Sequence, residues 1–244
     1  MTNSIPWPTQ RAVRESMPCS AIVDINGIQN PKTGGFHVVQ DALDAGHRSV
    51  FVRDGNYPRW ETTAAYQTII GESWNVVVFG ETDHAIELLH DACAVKNLQA
   101  YTTAGGGNNY DVINIGTGGT RQWVDHCYIS QSDRIGIVSS LQHLYVTNCY
   151  VSTCDTNGIQ ASNLYSRIYN STVVSCGADG IAWDTGVADG SIATGNYCAS
   201  NTGYGLNVDA NSNNCIAVGN KFTANAAGNE NDASGTSVMN NETT

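Results

Sequence analysis

The sequence predicts an all-β protein that folds as a single-stranded parallel β-helix, a solenoid of short stacked strands. Three observations support this prediction. An apolar–polar pattern recurs at a nearly fixed period through the second half of the chain. Gly, Asn, Ser and Asp, which tolerate sharp corners, separate the short apolar segments. Only 14% of the 244 residues are charged, too few for the outer faces of a helical bundle.

The repeat consists of two alternating sets of segments. Segments of the first set begin 22 or 24 residues apart, at Val124, Val146, Ile168, Ile192 and Ile216. Segments of the second set lie between them: Arg134–Val138, Asn157–Ala161, Asp179–Trp183 and Tyr204–Val208. This period is typical of one coil of a β-solenoid, and roughly seven or eight coils fit the chain after Val50. Equivalent residues of stacked coils are then neighbours at about 4.8 Å.

The cysteines follow the same period. Cys127 and Cys149 are 22 residues apart at equivalent positions, and so are Cys154 and Cys176. Because a free thiol packs as a small apolar group, we expect reduced cysteines stacked in the interior. Disulfides between neighbouring coils and a reactive thiol are the alternatives.

The segment before the repeat predicts a short helix. Phe36–Ala45 has apolar residues at helical spacing, and Gly46 follows as a terminator. Such a helix would cap the open end of the solenoid core. We therefore predict an N-terminal arm or attachment segment over residues 1–35 and a β-helix domain over residues 36–244.

The charge of the chain argues against several partners. The formal net charge is −11 and the sequence pI about 4.7, whereas nucleic acids and anionic membranes bind basic surfaces. No apolar run approaches the roughly 20 residues of a membrane span, so membrane insertion is not expected. The first residues also lack the basic start and apolar core of a secretory signal, which predicts cytoplasmic assembly or a signal already removed.

The beginning of the predicted solenoid resembles the pectin-lyase-like superfamily. In those proteins a capping helix leads into V-x-V-x-x-G-x-Y and then I-x-G, which Val39–Gly46, Val50–Tyr57 and Thr68–Glu72 match. The resemblance covers about residues 36–244 and implies a right-handed parallel β-helix. The superfamily includes polysaccharide lyases, polygalacturonases, uronan epimerases, phage tailspikes and non-enzymatic virion parts, so the fold does not fix the function.

One local match is closer. Trp123–Cys127 resembles the W-I-D-H-C stretch of pectate lyases, in which the following coil binds calcium through an Asp-rich segment and an Arg acts as the base. The equivalent segment here, Asp133–Ile137, contains one carboxylate. Asp125, His126 and Arg134 are the candidate substrate-binding residues here. We interpret Asp125 and His126 first as solvent-facing strand or turn residues, with a catalytic or metal role as the alternative.

Stacked coils also predict pairs of neighbouring carboxylates. Asp184 and Asp209 are at the same position of adjacent coils, and so are Asp133 and Asp155. Two close carboxylates repel, so one pKa rises unless a cation lies between them, as in a glycosidase pair or a Ca²⁺ site. Trp183 would offer a sugar-binding face if its side chain points outward. Corner turns for the aspartates and a core position for Trp183 are the alternatives. No cofactor other than Ca²⁺ is expected.

Three functions follow from these observations. The first is a virion component of tailspike, tail-fibre or decoration type that contacts host surface glycans. It is expected to be a homotrimer or to bind other virion subunits, because the last copy of the repeat, at Val238, is short and its core needs a cover.

The second function is a polysaccharide lyase or glycoside hydrolase acting on an acidic polysaccharide. It rests on the aspartate pairs and on the Trp123–Cys127 match. The third is a secreted cell-surface adhesin. The predicted location is accordingly the virion, with a secreted protein as the alternative.

Overall fold

The structure is a computed structural model that describes residues 19–27, 35–102, 109–116, 118–183 and 188–244. Within these ranges the chain forms one short helix and two sheets, of 18 and 8 strands, in which all strand pairs are parallel. The second sheet receives one strand from each coil, which gives eight coils. The predicted β-solenoid is therefore confirmed. None of the described helical residues forms a segment long and apolar enough to cross a membrane.

The 18-stranded sheet A has two faces that meet at a corner. Face A1 contains β1 (Ala21–Val23), β2 (Gly35–Phe36), β3 (Ser49–Val52), β6 (Thr68–Gly71), β9 (Ala94–Lys96), β12 (Gln122–Asp125), β15 (Leu144–Thr147), β18 (Arg167–Tyr169) and β21 (Ile192–Thr194). Face A2 contains β4 (Gly55–Pro58), β7 (Val76–Gly80), β10 (Gln99–Thr102), β13 (Tyr128–Ser132), β16 (Tyr150–Cys154), β19 (Thr172–Val174) and β22 (Tyr197–Ala199). Two strands continue through the corner, β24 (Ile216–Thr223) and β26 (Val238–Thr243).

The 8-stranded sheet B forms the remaining wall. Its strands are β5 (Trp60–Glu61), β8 (Ile86–Glu87), β11 (Ile113–Ile115), β14 (Ile137–Ser139), β17 (Ile159–Ala161), β20 (Ile181–Trp183), β23 (Tyr204–Val208) and β25 (Gly228–Asp232). Buried side chains of both sheets form one continuous core.

The helix α1 spans Val39–Asp44, inside the predicted range. Val39, Ala42 and Leu43 are buried and belong to the solenoid core, as expected of a cap. Gly46 has the left-handed φ of +82°, which glycine adopts without strain, and its N–H donates to the Leu43 carbonyl at 2.9 Å.

The solenoid begins earlier in the chain than predicted. Strand β1 lies within the range assigned to an N-terminal arm, yet it pairs in parallel with β3, with Ala21 opposite Val50. Its three residues are too few for a periodic pattern, so the sequence did not reveal it.

Single residues in the left-handed conformation turn the chain between walls. In the coil that contains β12 and β13 these residues are Arg121, His126 and Gln131, with φ of 64°, 52° and 53°. His126 lies between faces A1 and A2, and Gln131 lies near the end of face A2. The corner that follows leads into sheet B and contains Asp133 and Arg134.

The interior corners are lined by thiols and then by amides. All eight cysteine thiols are free, and all except that of Cys19 are buried. The Cys176 N–H donates to Asn201 Oδ1 at 3.0 Å, and the Asn201 N–H to Asn225 Oδ1 at 3.1 Å. Burial raises the pKa of Cys215 to about 11, so this thiol stays protonated and unreactive at neutral pH.

The register corrects one alignment of the repeat. The sequence places Ile192 opposite Ile168, but the structure pairs Ile168 with Ala193 and Ala193 with Ala217. Ile192 and Ile216 therefore point outward, and Ile216 is 37% exposed. A strand alternates faces at every residue, so a slip of one position reverses inside and outside. The alignment from sequence failed because, in both Ile192-Ala193 and Ile216-Ala217, the larger apolar residue is the one that points outward.

This register predicts opposite effects of two neighbouring substitutions. We expect Ala217→Asn to lower the free energy of unfolding by about 3 kcal/mol or more, because it overfills the core and buries an amide. We expect Ile216→Asn to change it by less than about 0.5 kcal/mol, as is usual at the surface. Urea unfolding of both variants measures the difference; equal costs would contradict the register.

Candidate functional site

The outer face of sheet B presents a line of polar side chains, here called the polar row. Strand pairing places these residues at equivalent positions of successive coils, with Val138 and Ala182 between them: Glu61, Glu87, Asn114, Gln160, Asn207 and Asn231. Their strand neighbours, such as Ile113 and Ile159, are buried, so the row faces outward. The row runs along the solenoid axis.

Hydrogen bonds link members of the polar row. Asn114 Nδ2 donates to Glu87 Oε1 at 3.2 Å, and Asn231 Nδ2 donates to Asn207 Oδ1 at 2.9 Å. A carboxamide has two donors and an acceptor with two lone pairs, so each retains capacity for a further partner. This arrangement suits a ligand rich in hydroxyl groups.

Sequence analysis missed the polar row. The available signal was the polar residue that follows the central Ile in segments of the second set, as in Ile86-Glu87 and Ile113-Asn114. Polar residues at such positions are also ordinary on any solvated strand, so their alignment became informative only with the register.

Arg59 is held by carboxylates at the first coils of this face. Its Nη1 donates to Asp83, and its Nη2 donates to Glu87 Oε2 at 2.8 Å. The same Nη2 lies 3.6 Å from Glu61 Oε2. The guanidinium thus neutralises part of an acidic cluster.

Arg134 is held in a similar way at the corner that leads into sheet B. Its Nε donates to Asp111 Oδ1 at 2.7 Å and its Nη2 donates to Asp111 Oδ2, so the pair is bidentate. The Asp111 side chain is fully buried, and its hydrogen bonds raise the pKa of Arg134. The Asp111 N–H donates to His84 Nδ1 at 2.9 Å. Arg134 was predicted to bind substrate; in the structure it fixes Asp111.

Asp133 and Asp155 are neighbours at the same corner, as the repeat predicted. Ser132 is paired with Cys154, and the Asp155 N–H donates to the Ser132 carbonyl at 2.9 Å. Asp133 Oδ2 is buried and has no hydrogen-bond partner. Burial, and then the charge of Asp155, raise the pKa of Asp133. We call Asp111, Asp133, Arg134, Asp155 and Asp179 the acidic corner.

The second predicted pair is only partly described. Asp184 lies outside the described residues. Asp209 follows β23, and its N–H donates to the Trp183 carbonyl at 2.9 Å. Asp209 Oδ1 accepts hydrogen bonds from the Asn211 N–H at 2.9 Å and from Asn211 Nδ2 at 3.0 Å. These contacts are the local turn bonds typical of aspartate.

Trp183 lies in the core, which is one of the two orientations that the sequence left open for its side chain. Trp183 is paired with Val208, and both side chains are fully buried in the core. Its Nε1 has no hydrogen-bond partner. The indole therefore offers no face to a sugar at the surface.

Asp125 and His126 lie elsewhere, at the corner between faces A1 and A2. Asp125 Oδ1 contacts His126 Nδ1 at 2.9 Å and accepts from Thr147 Oγ1 at 2.6 Å and Asn148 Nδ2 at 3.0 Å. Burial acts to raise the pKa of Asp125, but these hydrogen bonds outweigh it and lower the pKa. The structure does not bring these residues together with the acidic corner.

Aromatic side chains on sheet A form stacks that the sequence analysis did not identify. The rings of Trp123 and Tyr145 have centroids 5.2 Å apart at 12°, and those of Tyr128 and Tyr150 are 5.0 Å apart at 4°. Rings stacked along the solenoid axis cover each other's faces. These pairs therefore stabilise neighbouring coils rather than present flat platforms to a sugar.

Among the described residues, no group of three or more His, Cys, Asp and Glu is placed to hold a metal ion. Ca²⁺ at a carboxylate pair stays a prediction of the sequence.

The opposite pKa shifts of Asp133 and Asp125 predict opposite pH dependences. A raised folded-state pKa lowers stability as pH increases from the unfolded value of about 3.9 through the folded value. Asp133→Asn should therefore raise the free energy of unfolding at pH 7 and lose this gain below about pH 3.9. A lowered pKa contributes stability above the unfolded value, so Asp125→Asn should lower the free energy of unfolding at pH 7.

Urea unfolding at several pH values checks both signs. A loss of stability at pH 7 in Asp133→Asn would contradict the environment described for this carboxyl.

Comparison with known proteins identifies structural neighbours only. No protein-family model matches the chain, and no curated protein matches it in sequence. The pectin methylesterase from Aspergillus niger has a TM-score of 0.62 and 15% identity, with 93% of this chain and 87% of that chain covered. Pectate lyase Pel9A has a TM-score of 0.63 and 13% identity, with coverage of 95% and 78%.

A third neighbour is the catalytic domain of a GH87 α-1,3-glucanase, with a TM-score of 0.60 and 13% identity. The match covers 84% of this chain and 43% of that chain. Likeness at these identities establishes the fold. The chain is a right-handed parallel β-helix of the pectin-lyase-like type.

Proposed function

We propose that this protein cleaves a polysaccharide that binds along the outer face of sheet B, parallel to the solenoid axis. The observation that carries the proposal is the Asp133–Asp155 pair, in which one carboxyl has a raised pKa beside an exposed neighbour. Carboxyls with divergent environments are the usual acid and base of glycoside cleavage. The names of the structural neighbours described above identify them as enzymes that act on polysaccharides. This supports a glycan as the ligand of this protein.

The chemistry assigns different tasks to the two carboxyls. Asp133, whose pKa is raised by burial and by the charge of Asp155, donates its proton to the glycosidic oxygen as the bond to the anomeric carbon breaks. The Asp155 carboxylate faces the developing positive charge. Adjacent coils are about 4.8 Å apart. This spacing favours a short carboxyl separation and attack by Asp155 on the anomeric carbon. Water then releases the sugar and returns a proton to Asp133.

The polar row supplies the binding surface. It extends along the solenoid axis beside the acidic corner, and Asn207 Nδ2 joins the two by donating to Asp179 Oδ2 at 2.9 Å. An extended glycan laid along the row would contact several coils at once. Hydrogen bonds to its hydroxyl groups would then position one linkage at the pair.

The activity is tested by incubating the protein with a panel of polysaccharides, with and without Ca²⁺. We expect new reducing ends without absorbance from an unsaturated product, because the pair supports hydrolysis. Asp133→Asn and Asp155→Asn should each lower the rate by about 10²-fold or more, since general acid catalysis contributes that amount. Asp41→Asn, on the exposed face of α1, is the matched control.

Full activity of either aspartate variant would contradict the assignment of the pair. An unsaturated product would indicate a lyase instead. If the wild-type protein cleaves no polymer, the proposed enzymatic function is contradicted.

A host-attachment component of a virion is the second candidate, and it predicts glycan binding without cleavage. One observation favours subunit association: Ile192, Ile216 and Val238 form an outward apolar line on face A1, and Val238 is 58% exposed. None of the neighbours named above is a virion protein. The mass of the protein under native conditions tests this candidate. A trimer supports it, and a stable monomer counts against it. A secreted adhesin predicts the same binding without a trimer.

A further inference from the structure

The charges around sheet B specify the chemistry of the ligand. We propose that the polysaccharide bound there carries no carboxylate or sulfate groups and is a neutral or amine-bearing glycan. This inference rests on the proposed function, and it differs from the acidic polysaccharide expected from the sequence.

Few cations are available on this side of the solenoid. Of the lysines and arginines in the described part of the chain, only Arg59 and Arg134 belong to sheet B or to the corner that leads into it. Arg121 lies at the opposite edge of sheet B, at the corner between β11 and β12. The others are associated with sheet A or directly precede it: Arg48, Arg53, Lys96, Arg167 and Lys221.

Both arginines already form ion pairs with carboxylates of the protein. Arg59 contacts three of them, Asp83, Glu87 and Glu61. Arg134 forms a bidentate pair with the fully buried Asp111, and breaking that pair would leave a buried charge unpaired. An acidic sugar would have to displace one of these carboxylates to gain an arginine.

The carboxylates on this side outnumber the cations. Apart from Asp133, the proposed acid, they include in the described residues Glu61, Asp83, Glu87, Asp111, Asp155, Asp179, Glu230 and Asp232. A polyanion laid along the polar row would meet this negative field, and within the described residues of sheet B and its leading corner no unpaired arginine or lysine offsets it. A sugar hydroxyl, by contrast, donates to a carboxylate and exchanges hydrogen bonds with Asn114 or Asn207. An amine would gain further from the field.

The test compares affinities of the wild-type protein for a defined panel by calorimetry. The panel contains neutral glucans and mannan, chitosan, polygalacturonate and alginate, each at low and high ionic strength, and the acidic polymers also with Ca²⁺. We expect at least one acid-free polymer to bind about tenfold or more tighter than either acidic polymer. Binding of a neutral polymer should not depend on salt.

Tighter binding of an acidic polymer, with or without Ca²⁺, overturns this inference and leaves the proposed function intact. Cleavage assays are run on the same panel. If no polymer is bound or cleaved, both the inference and the proposed function fail.

A gain-of-function variant tests whether the ion pairs of Arg59 prevent it from binding an acidic sugar. Asp83→Asn with Glu87→Gln removes two of its carboxylate partners, so the guanidinium becomes available to a uronate. We expect affinity for polygalacturonate to rise about tenfold at low salt and to fall again at high salt.

Asp54→Asn with Glu72→Gln is the matched control, because it removes two carboxylates from the corner between faces A1 and A2. Circular dichroism verifies that both variants fold. An equal gain in both variants would attribute the effect to net charge and overturn the role of sheet B, as would no gain in the first variant.

Discussion

In-register stacking of parallel coils is the constraint on which the rest of this structure depends. Each strand pairs with its equivalent one coil away, so any side chain has its own counterpart about 4.8 Å above and below. Apolar counterparts form the core, which a single coil could not bury alone. Polar counterparts either form hydrogen bonds with each other or, where both are carboxyls, repel each other. Both cases occur in this structure. Asn196 Nδ2 donates to Asn220 Oδ1 at 2.9 Å in the interior, whereas Asp133 and Asp155 repel near the surface.

The candidate site follows from the same constraint. Stacking concentrates carboxylates beside sheet B, and two bound arginines offset only part of their charge. The Asp133 carboxyl, with a buried oxygen that lacks a partner, lowers the stability of the folded state at neutral pH. Such local cost is common where a protein holds a group ready for chemistry. Asp125, by contrast, has three hydrogen-bond partners, and its pKa shifts in the opposite direction.

The sequence revealed whatever repeats with a constant period and a distinctive residue. The coil length, the stacked thiols of Cys127 and Cys149, and the proximity of Asp133 and Asp155 could all be predicted in this way. Positions after a coil of different length could not, because one added residue reverses the faces of a strand. Ile192 was therefore placed inside, where Ala193 lies. The contacts of Arg59 were not predicted either, because its partners are 24 and 28 residues away and so do not repeat at one constant period.

Carbon-detected NMR titration of the side-chain carboxyls tests the central claim most directly. The account predicts that Asp133 titrates above the ordinary value of about 3.9 and that its pKa falls when Asp155 is replaced by Asn. Asp125 should titrate below the ordinary value in both proteins. If Asp133 titrated at or below about 3.9, or did not respond to Asp155→Asn, coil stacking would not create the proposed acid, and the account would be contradicted.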